Sequence, residues 1–219
     1  MFTAVLLGFV LGLRHASDPD HVIAVSTILA RHRRAWASAA VGAAWGLGHS
    51  ATIVAVGALI VLLQLAVPPR VGLGLELVVG IVLVALGLRN LRDMGAESEA
   101  AHGHVHELRD AGAATTAALA RACGVGLVHG LAGSAAVALL ALAAMPTPAT
   151  AIAYLAVFSV GTIGGMVAIS LGLGFPLAFA ARRPVLRRFI VAGSGALSLG
   201  FGAWLVYDIG FVQGLLAFS

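Results

Sequence analysis

The sequence predicts an all-α integral membrane protein of six transmembrane helices, arranged as two inverted three-helix repeats. Composition is the first reason: of the 219 residues, 60% are hydrophobic and only 10% are charged, whereas a soluble domain has roughly 25% charged residues. The other two reasons are long apolar runs separated by short arginine-rich connections, and a weak similarity between the two halves of the chain.

Six apolar segments are long enough to cross a membrane, because a helix needs about 20 residues to span the hydrocarbon core. They lie near residues 2–30, 36–66, 71–91, 116–145, 148–180 and 187–214. The first segment contains Pro19, which cannot donate a backbone hydrogen bond, and Ser17 or Asp18 before it is a good N-cap. We therefore expect the first helix to be broken or kinked at Ser17 to Asp20.

The positive charges indicate how the segments are oriented. All 13 basic residues are arginines; eleven lie in the first, third and fifth connections, and the second and fourth hold only Arg70. By the positive-inside rule the arginine-rich connections are cytoplasmic and both termini lie outside. Arginines in loops of this kind form no basic face for nucleic acid. We expect a multi-pass protein of the cell (inner) membrane with no nucleic-acid partner.

An internal repeat relates the two halves. The matches, at offsets of 113 or 114 residues, are Gly12-Leu13-x-His15 with Gly126-Leu127-x-His129, Gly48-His49 with Gly161-Thr162, and Gly80 and Leu86-Gly87 with Gly193 and Leu199-Gly200. Three spans per repeat would invert the halves, an architecture of transporters that bind substrate at the repeat interface near the midplane. Residues 1–113, with a cytoplasmic histidine-containing loop, form the first repeat, and residues 114–219 form the second.

Ionisable side chains are concentrated in the first segment, where Arg14-His15-Ala16-Ser17-Asp18-Pro19-Asp20-His21 holds two histidines and two carboxylates. At membrane depth such groups are costly and usually functional. His21, His49 and His129 each lie roughly 12 to 22 Å from a cytoplasmic connection, at ~1.5 Å per residue. On an unbroken helix His15, Asp20 and His21 would point in three directions. The expected break would let them converge.

The residue types predict a transition-metal site. Imidazole and carboxylate together suit borderline cations such as nickel, cobalt, zinc and iron, whereas all-oxygen sites suit magnesium and calcium. The predicted metal ligands are His15, Asp20, His21, His49 and His129. Two alternatives stay open: His49 as an interhelical hydrogen-bond residue and His129 as a satisfied core histidine.

Other polar residues are weaker candidates. Arg14 is expected to pair with Asp18 or Asp20, and Asp18 itself could support the site. The hydroxyls of Ser50, Ser134 and Thr162 could do so too, although hydroxyl hydrogen bonds between helices are common in membranes. The third connection holds His102, His104 and His106, which either capture metal on the cytoplasmic side or have no role. Glu76 and Asp208 are expected to meet headgroups or water.

These motifs resemble those of a known family. The run from Arg14 to His21 is similar to the H-x-x-x-x-D-H signature of the nickel/cobalt permeases, and Leu47-Gly48-His49-Ser50 resembles their second motif. Those permeases typically have eight spans and acidic motifs in the second half. Here we count six spans and find Val128-His129-Gly130-Leu131-Ala132-Gly133-Ser134, which is closer to the shorter branch of urease accessory transport proteins.

The resemblance implies secondary uptake of Ni²⁺ or Co²⁺ by alternating access around a midplane site, with His15, Asp20, His21 and His49 as the recognition residues. On this hypothesis the protein is no enzyme, the metal is its substrate, no cofactor is permanently bound, and its contacts are membrane lipid and the ion. The alternatives are a metal exporter of the same architecture, an intramembrane zinc hydrolase with Asp20 or Asp18 as general base, and an accessory subunit that delivers nickel to nickel-enzyme maturation proteins. The oligomeric state is left open.

Overall fold

The computed structural model describes residues 2–30, 35–65, 67–99, 110–180 and 182–216, and it confirms the all-α fold class. The elements are α1 (Phe2–His15), α2 (Pro19–Leu29), α3 (Ala35–Leu63), α4 (Pro69–Glu99), α5 (Asp110–Ala144), α6 (Pro148–Ala180), α7 (Pro184–Tyr207) and a π-helical turn (Asp208–Val212). The part of the third connection that holds His102, His104 and His106 lies outside the described residues. Metal capture by these three histidines therefore stays a prediction.

Four stretches of helix in the described part of the chain are long and apolar enough to cross a membrane. They are Trp36–Leu63, Pro69–Arg92, Pro148–Ala180 and Pro184–Val212. The first predicted segment is divided between two shorter helices, α1 and α2, so the expected break is confirmed. Helix α5 covers the predicted fourth segment.

The surface of the helices is apolar. Trp36 is 76% exposed, Phe189 71% and Phe211 67%. A soluble protein rarely exposes so much aromatic surface, whereas lipid tails solvate it. Together with the four long apolar stretches, this surface identifies a multi-pass membrane protein in contact with lipid.

Helix pairs approach closely where glycines replace larger side chains. Helix α3 packs against both α5 and α6, α1 packs against α6, and α4 packs against α7. A Cβ on Gly12 of α1 would overlap the carbonyl of Phe158 on α6, and a Cβ on Gly126 of α5 would overlap the carbonyl of Trp45 on α3. Small residues of this kind let membrane helices pack backbone to backbone. The close approach brings His49 on α3 near α5.

Buried polar groups link the far end of α2 to its neighbours. The Asn90 amide of α4 donates to the carbonyl of Thr27 (3.3 Å) and to the Ser194 hydroxyl of α7 (3.2 Å). The Thr27 hydroxyl in turn donates to the carbonyl of Ser194 at 3.2 Å. Because an unsatisfied polar group is costly in an apolar setting, these bonds fix α2 at its C-terminal end. The N-terminal end of α2 carries His21.

Candidate metal centre

The break between α1 and α2 turns a predicted single span into two helix ends that face each other. Asp18 occupies the N-cap position of α2 with Pro19 as the first helical residue, but the Asp18 side chain makes no capping hydrogen bond. The Asp18 backbone N–H donates to the carbonyl of His15 at 3.1 Å. This carbonyl therefore already accepts a hydrogen bond from within the break. The Asp18 carboxylate is left to contact a side chain instead.

His15 and His49 form the closest pair of the centre. The Nε2 atom of His15 lies 3.0 Å from the Nε2 atom of His49, and the Nδ1 atom of His15 lies 2.8 Å from a carboxylate oxygen of Asp18. A carboxylate only accepts hydrogen bonds, so Nδ1 of His15 carries a proton and Nε2 of the neutral ring offers a lone pair. Two nitrogens bound to one cation at about 2.1 Å are roughly 3.0 to 3.4 Å apart. The His15–His49 spacing is that of a hydrogen bond between the two rings, and it also falls within the separation of two ligands of one cation.

His21 completes a group of three imidazoles. Its ring centroid is 4.8 Å from that of His49 and 4.9 Å from that of His15. Ligating nitrogens of His15, His21 and His49 all lie within 4.8 Å of one another. His21 is only 3% exposed and His49 is fully buried. One cation could therefore draw all three nitrogens together in a largely buried site.

His129 and Asp20 lie beside this group. The Nε2 atom of His129 is 3.9 Å from one carboxylate oxygen of Asp20, whose other oxygen is 3.4 Å from Nδ1 of His21. His129 Nδ1 donates to the carbonyl of Val125 at 3.0 Å, which leaves Nε2 as the potential ligand. The indole of Trp45 packs on the imidazole of His129 with a centroid distance of 4.9 Å. This packing holds the ring toward Asp20.

Several buried ring nitrogens in the centre lack a hydrogen-bond partner among the described residues. They are Nδ1 and Nε2 of His21, Nδ1 of His49 and Nε2 of His129. Leaving a buried polar group unpaired costs about 1–3 kcal/mol, so a cluster of such groups needs a compensating interaction. A metal ion bound by the unprotonated nitrogen of His21 would supply one for that ring.

A cavity of about 250 Å³ opens beside the imidazoles. Its polar lining consists of His15, Asp18, Asp20, His21, Glu76 and His129. The sequence predicts that Glu76 meets headgroups or water, and the side chain is exposed in the structure, where it also lines this cavity. The signal that could have identified it is an isolated carboxylate within an otherwise apolar span.

The weaker candidates have other contacts. Ser50 donates from its hydroxyl to the carbonyl of Ser159 at 3.3 Å, and Thr162 donates to the carbonyl of Phe158 at 3.0 Å. Both hydroxyls thus bond to the backbone of α6. Arg14 is exposed, and the expected ion pair with Asp18 or Asp20 is not among the described contacts, because imidazoles take those carboxylates. The side chain of Ser134 lies outside the described part of the structure.

The arrangement is chemically suited to a borderline dication. Imidazole nitrogens on three helices provide neutral ligands, and Asp20 provides charge without occupying the centre of the group. His15, His21 and His49 could hold the ion directly, with Asp20 and His129 as nearby additional ligands. Asp18 fixes the tautomer of His15, which is the usual role of a carboxylate behind a metal-binding histidine.

Comparison with known proteins adds a relative of nearly the same length. The chain is 33% identical over 217 residues to the urease accessory protein UreH of Bacillus sp. strain TB-90, a match that covers 98% of this chain and 95% of that protein. It is also 28% and 29% identical to the chloroplast proteins FOR GROWTH AND FERTILITY 2 and 1 of Arabidopsis thaliana, and spans 56% and 59% of their lengths. No family model and no solved structure matches the chain.

Proposed function

We propose that this chain, which belongs to the family of the urease accessory protein UreH, is a secondary transporter that takes up a divalent transition metal, Ni²⁺ or Co²⁺. The observation that carries the proposal is the convergence of His15, His21 and His49, whose ligating nitrogens lie within 4.8 Å of one another inside an apolar helical bundle. Within this cluster both ring nitrogens of the buried His21 lack a hydrogen-bond partner among the described residues, and imidazole nitrogens are preferred ligands of a borderline metal.

Several features favour transport over catalysis. The imidazole group adjoins a cavity of about 250 Å³ lined by carboxylates as well as imidazoles, which gives a cation a polar route to and from the site. A zinc hydrolase would need a water on the metal beside a general base. Asp18, one of the two candidate bases, is engaged with Nδ1 of His15. We therefore propose that the metal is a transported substrate and that the protein is not an enzyme.

We propose alternating access between two inverted repeats, residues 1–113 and 114–219. The helix contacts support this arrangement. Gly12 meets the backbone of Phe158, and Gly126 meets that of Trp45; Gly161 meets the backbone of Phe9, and Gly48 that of Cys123. Each contact corresponds to its partner at an offset of 113 or 114 residues. In transporters of this architecture the substrate site lies at the interface between the repeats. One repeat moves against the other and so exposes the site to each side in turn.

The two copies also share an aromatic contact with a histidine. Phe158 packs on His15 at a centroid distance of 5.4 Å, and Trp45 packs on His129 at 4.9 Å. In the same correspondence Thr162 takes the place of His49. The metal ligands are thus concentrated in the first repeat, while the second contributes His129.

The relative's name suggests where the metal goes. Because UreH is called a urease accessory protein, we propose that imported nickel supplies the maturation of a nickel enzyme. The second candidate function is delivery of nickel to maturation proteins without transport by this chain alone. It is supported by the same name, which calls the relative an accessory protein.

The test is uptake of radioactive nickel by proteoliposomes that contain only the purified protein. We expect wild-type uptake, its loss in His21→Ala, and near-normal uptake when His102, His104 and His106 are all changed to alanine. If the triple change does as much damage as His21→Ala, the main site is wrongly placed. Absence of uptake by the correctly folded wild type would reject transport and favour the delivery subunit.

A further inference from the structure

Glu76 is a charged side chain within an apolar membrane span. It lies in the Pro69–Arg92 stretch of α4, which has a mean hydropathy of 2.5. A carboxylate at such a position is costly and usually functional. Its side chain lines the cavity beside the histidines, so its setting is polar and not lipid alone.

The cavity that Glu76 lines is suited to cations. Asp18, Asp20 and Glu76 contribute carboxylates to its wall, and no arginine is part of the lining formed by the described residues. Three acidic groups around a space with apolar walls raise the local concentration of cations, because low-dielectric walls focus the field. A second observation points to a metal here: His21 lines the same cavity, is 3% exposed, and neither of its ring nitrogens has a hydrogen-bond partner in the described structure.

Glu76 lines the cavity from the N-terminal part of α4. It is seven residues after the start of α4 at Pro69, or about 10 Å along the helix at ~1.5 Å per residue. Its side chain is exposed, whereas His21 is buried. Phe201 and Leu205 of α7 also line the cavity and offer no charge. Glu76 is therefore the carboxylate that α4 offers to a cation arriving from the α3–α4 connection.

We propose that Glu76 is the capture residue of the transporter: its carboxylate attracts the hydrated dication at the mouth of the cavity and passes it to Asp20 and His21. This inference rests on the proposed uptake function. Capture governs how strongly uptake depends on metal concentration, whereas the maximal rate depends on the imidazole site and the conformational change.

The experiment measures initial rates of nickel uptake by cells that produce Glu76→Gln, Glu76→Asp or the control Asp208→Asn. Asp208 is a matched control because it is also a carboxylate within a long apolar stretch, Pro184–Val212. It accepts a hydrogen bond from the Gln213 amide at 2.7 Å and is not part of the cavity lining. We expect Glu76→Gln to raise KM about tenfold, the lower end of electrostatic focusing effects, with an unchanged maximal rate. We expect the KM of Glu76→Asp to stay close to the wild-type value, and that of Asp208→Asn to equal it.

Ionic strength provides a readout that a purely structural role would not change. Salt screens capture, so KM of the wild type rises with salt, while KM of Glu76→Gln responds less. The inference is overturned if Glu76→Gln keeps the wild-type KM, if only its maximal rate falls, or if Asp208→Asn has the same effect.

Failure of this inference is separable from failure of the proposed function. Wild-type uptake that is abolished by His21→Ala, together with normal uptake kinetics in Glu76→Gln, rejects the role of Glu76 alone. Absence of uptake in the wild type, with the protein present in the membrane, rejects the transport function and the inference with it.

Discussion

At the scale of single residues, the centre is organised by the groups behind the imidazoles. Asp18 contacts Nδ1 of His15 at 2.8 Å, and the carbonyl of Val125 accepts from Nδ1 of His129 at 3.0 Å. In both rings this leaves Nε2 without a proton in the neutral form. Each ring is thereby held in the tautomer that can bind a metal through Nε2.

Removing the carboxylate behind His15 should weaken metal binding. We expect Asp18→Ala to lower the affinity for Ni²⁺ by 10- to 100-fold, roughly the cost of losing such a supporting partner, with a milder effect for Asp18→Asn, which keeps an acceptor oxygen. Isothermal titration of the purified protein measures both. Ser17→Ala is the control, because the Ser17 hydroxyl donates only to the carbonyl of Arg14. Wild-type affinity in Asp18→Ala would refute this role.

The sequence predicts much of this site and misses part of it. The spacing of His15, Asp20 and His21 around Pro19 is sufficient to predict a break and a convergence of ligands. The cavity position of Glu76 could not be predicted, because it depends on how α4 is rotated against its neighbours, and one apolar sequence does not give that rotation. The pairing of Asp18 with His15 instead of Arg14 depends on the turn at the break.

At the scale of the elements, the glycines determine how near the histidines lie to each other. A Cβ on Gly130 of α5 would overlap the carbonyl of His49 and lie 2.9 Å from its Cα atom. Helices α3 and α5 could then not approach as they do. The position of His49 relative to the other imidazoles therefore depends on a residue that has no chemistry of its own.

Substitution of that glycine should affect both stability and binding. We expect Gly130→Ala to destabilise the protein by about 1–3 kcal/mol, the usual cost of overpacking, and to weaken metal binding by displacing His49. Gly124→Ala is the matched control on the same helix, because a Cβ there meets nothing within 4 Å. Thermal unfolding in detergent, with and without Ni²⁺, measures the difference. Equal melting temperatures for the two variants would contradict the prediction.

The ends of the helices show the limit of hydrophobic pattern as a guide to elements. The apolar pattern predicts a segment at 71–91, but α4 continues to Glu99. It predicts a start near residue 116, but α5 begins at Asp110. Hydropathy marks where a helix meets lipid, whereas backbone hydrogen bonding continues into water wherever the residues favour helix.

At the scale of the whole molecule, the pairing of α4 with α7 extends the proposed symmetry. A Cβ on Gly202 would lie 2.7 Å from the carbonyl of Gly80, and one on Gly87 would lie 2.6 Å from the carbonyl of Gly195. In these contacts Gly80 corresponds to Gly195 and Gly87 to Gly202, an offset of 115 residues. The sequence matches for the same helix pair have an offset of 113. Matching glycines and leucines in the two halves are enough to suggest the repeat. They do not give the correct alignment of α4 with α7.

The proposed orientation predicts which connections face outward. We expect a cysteine at Gln64 to react with a membrane-impermeant maleimide in intact cells, and a cysteine at Arg182 to react only after permeabilisation. Both are placed in a Cys123→Ala background, since Cys123 is the only cysteine of the chain. The reverse pattern of labelling would overturn the orientation based on the arginines.

The most direct measurement is an anomalous difference map recorded at the nickel absorption edge from crystals grown with Ni²⁺. We predict one strong peak about 2.1 Å from ring nitrogens of His15, His21 and His49, and its disappearance in His21→Ala. A map whose peaks lie only at His102, His104 and His106, or one in which the peak survives His21→Ala, would contradict a metal site formed by the three buried imidazoles.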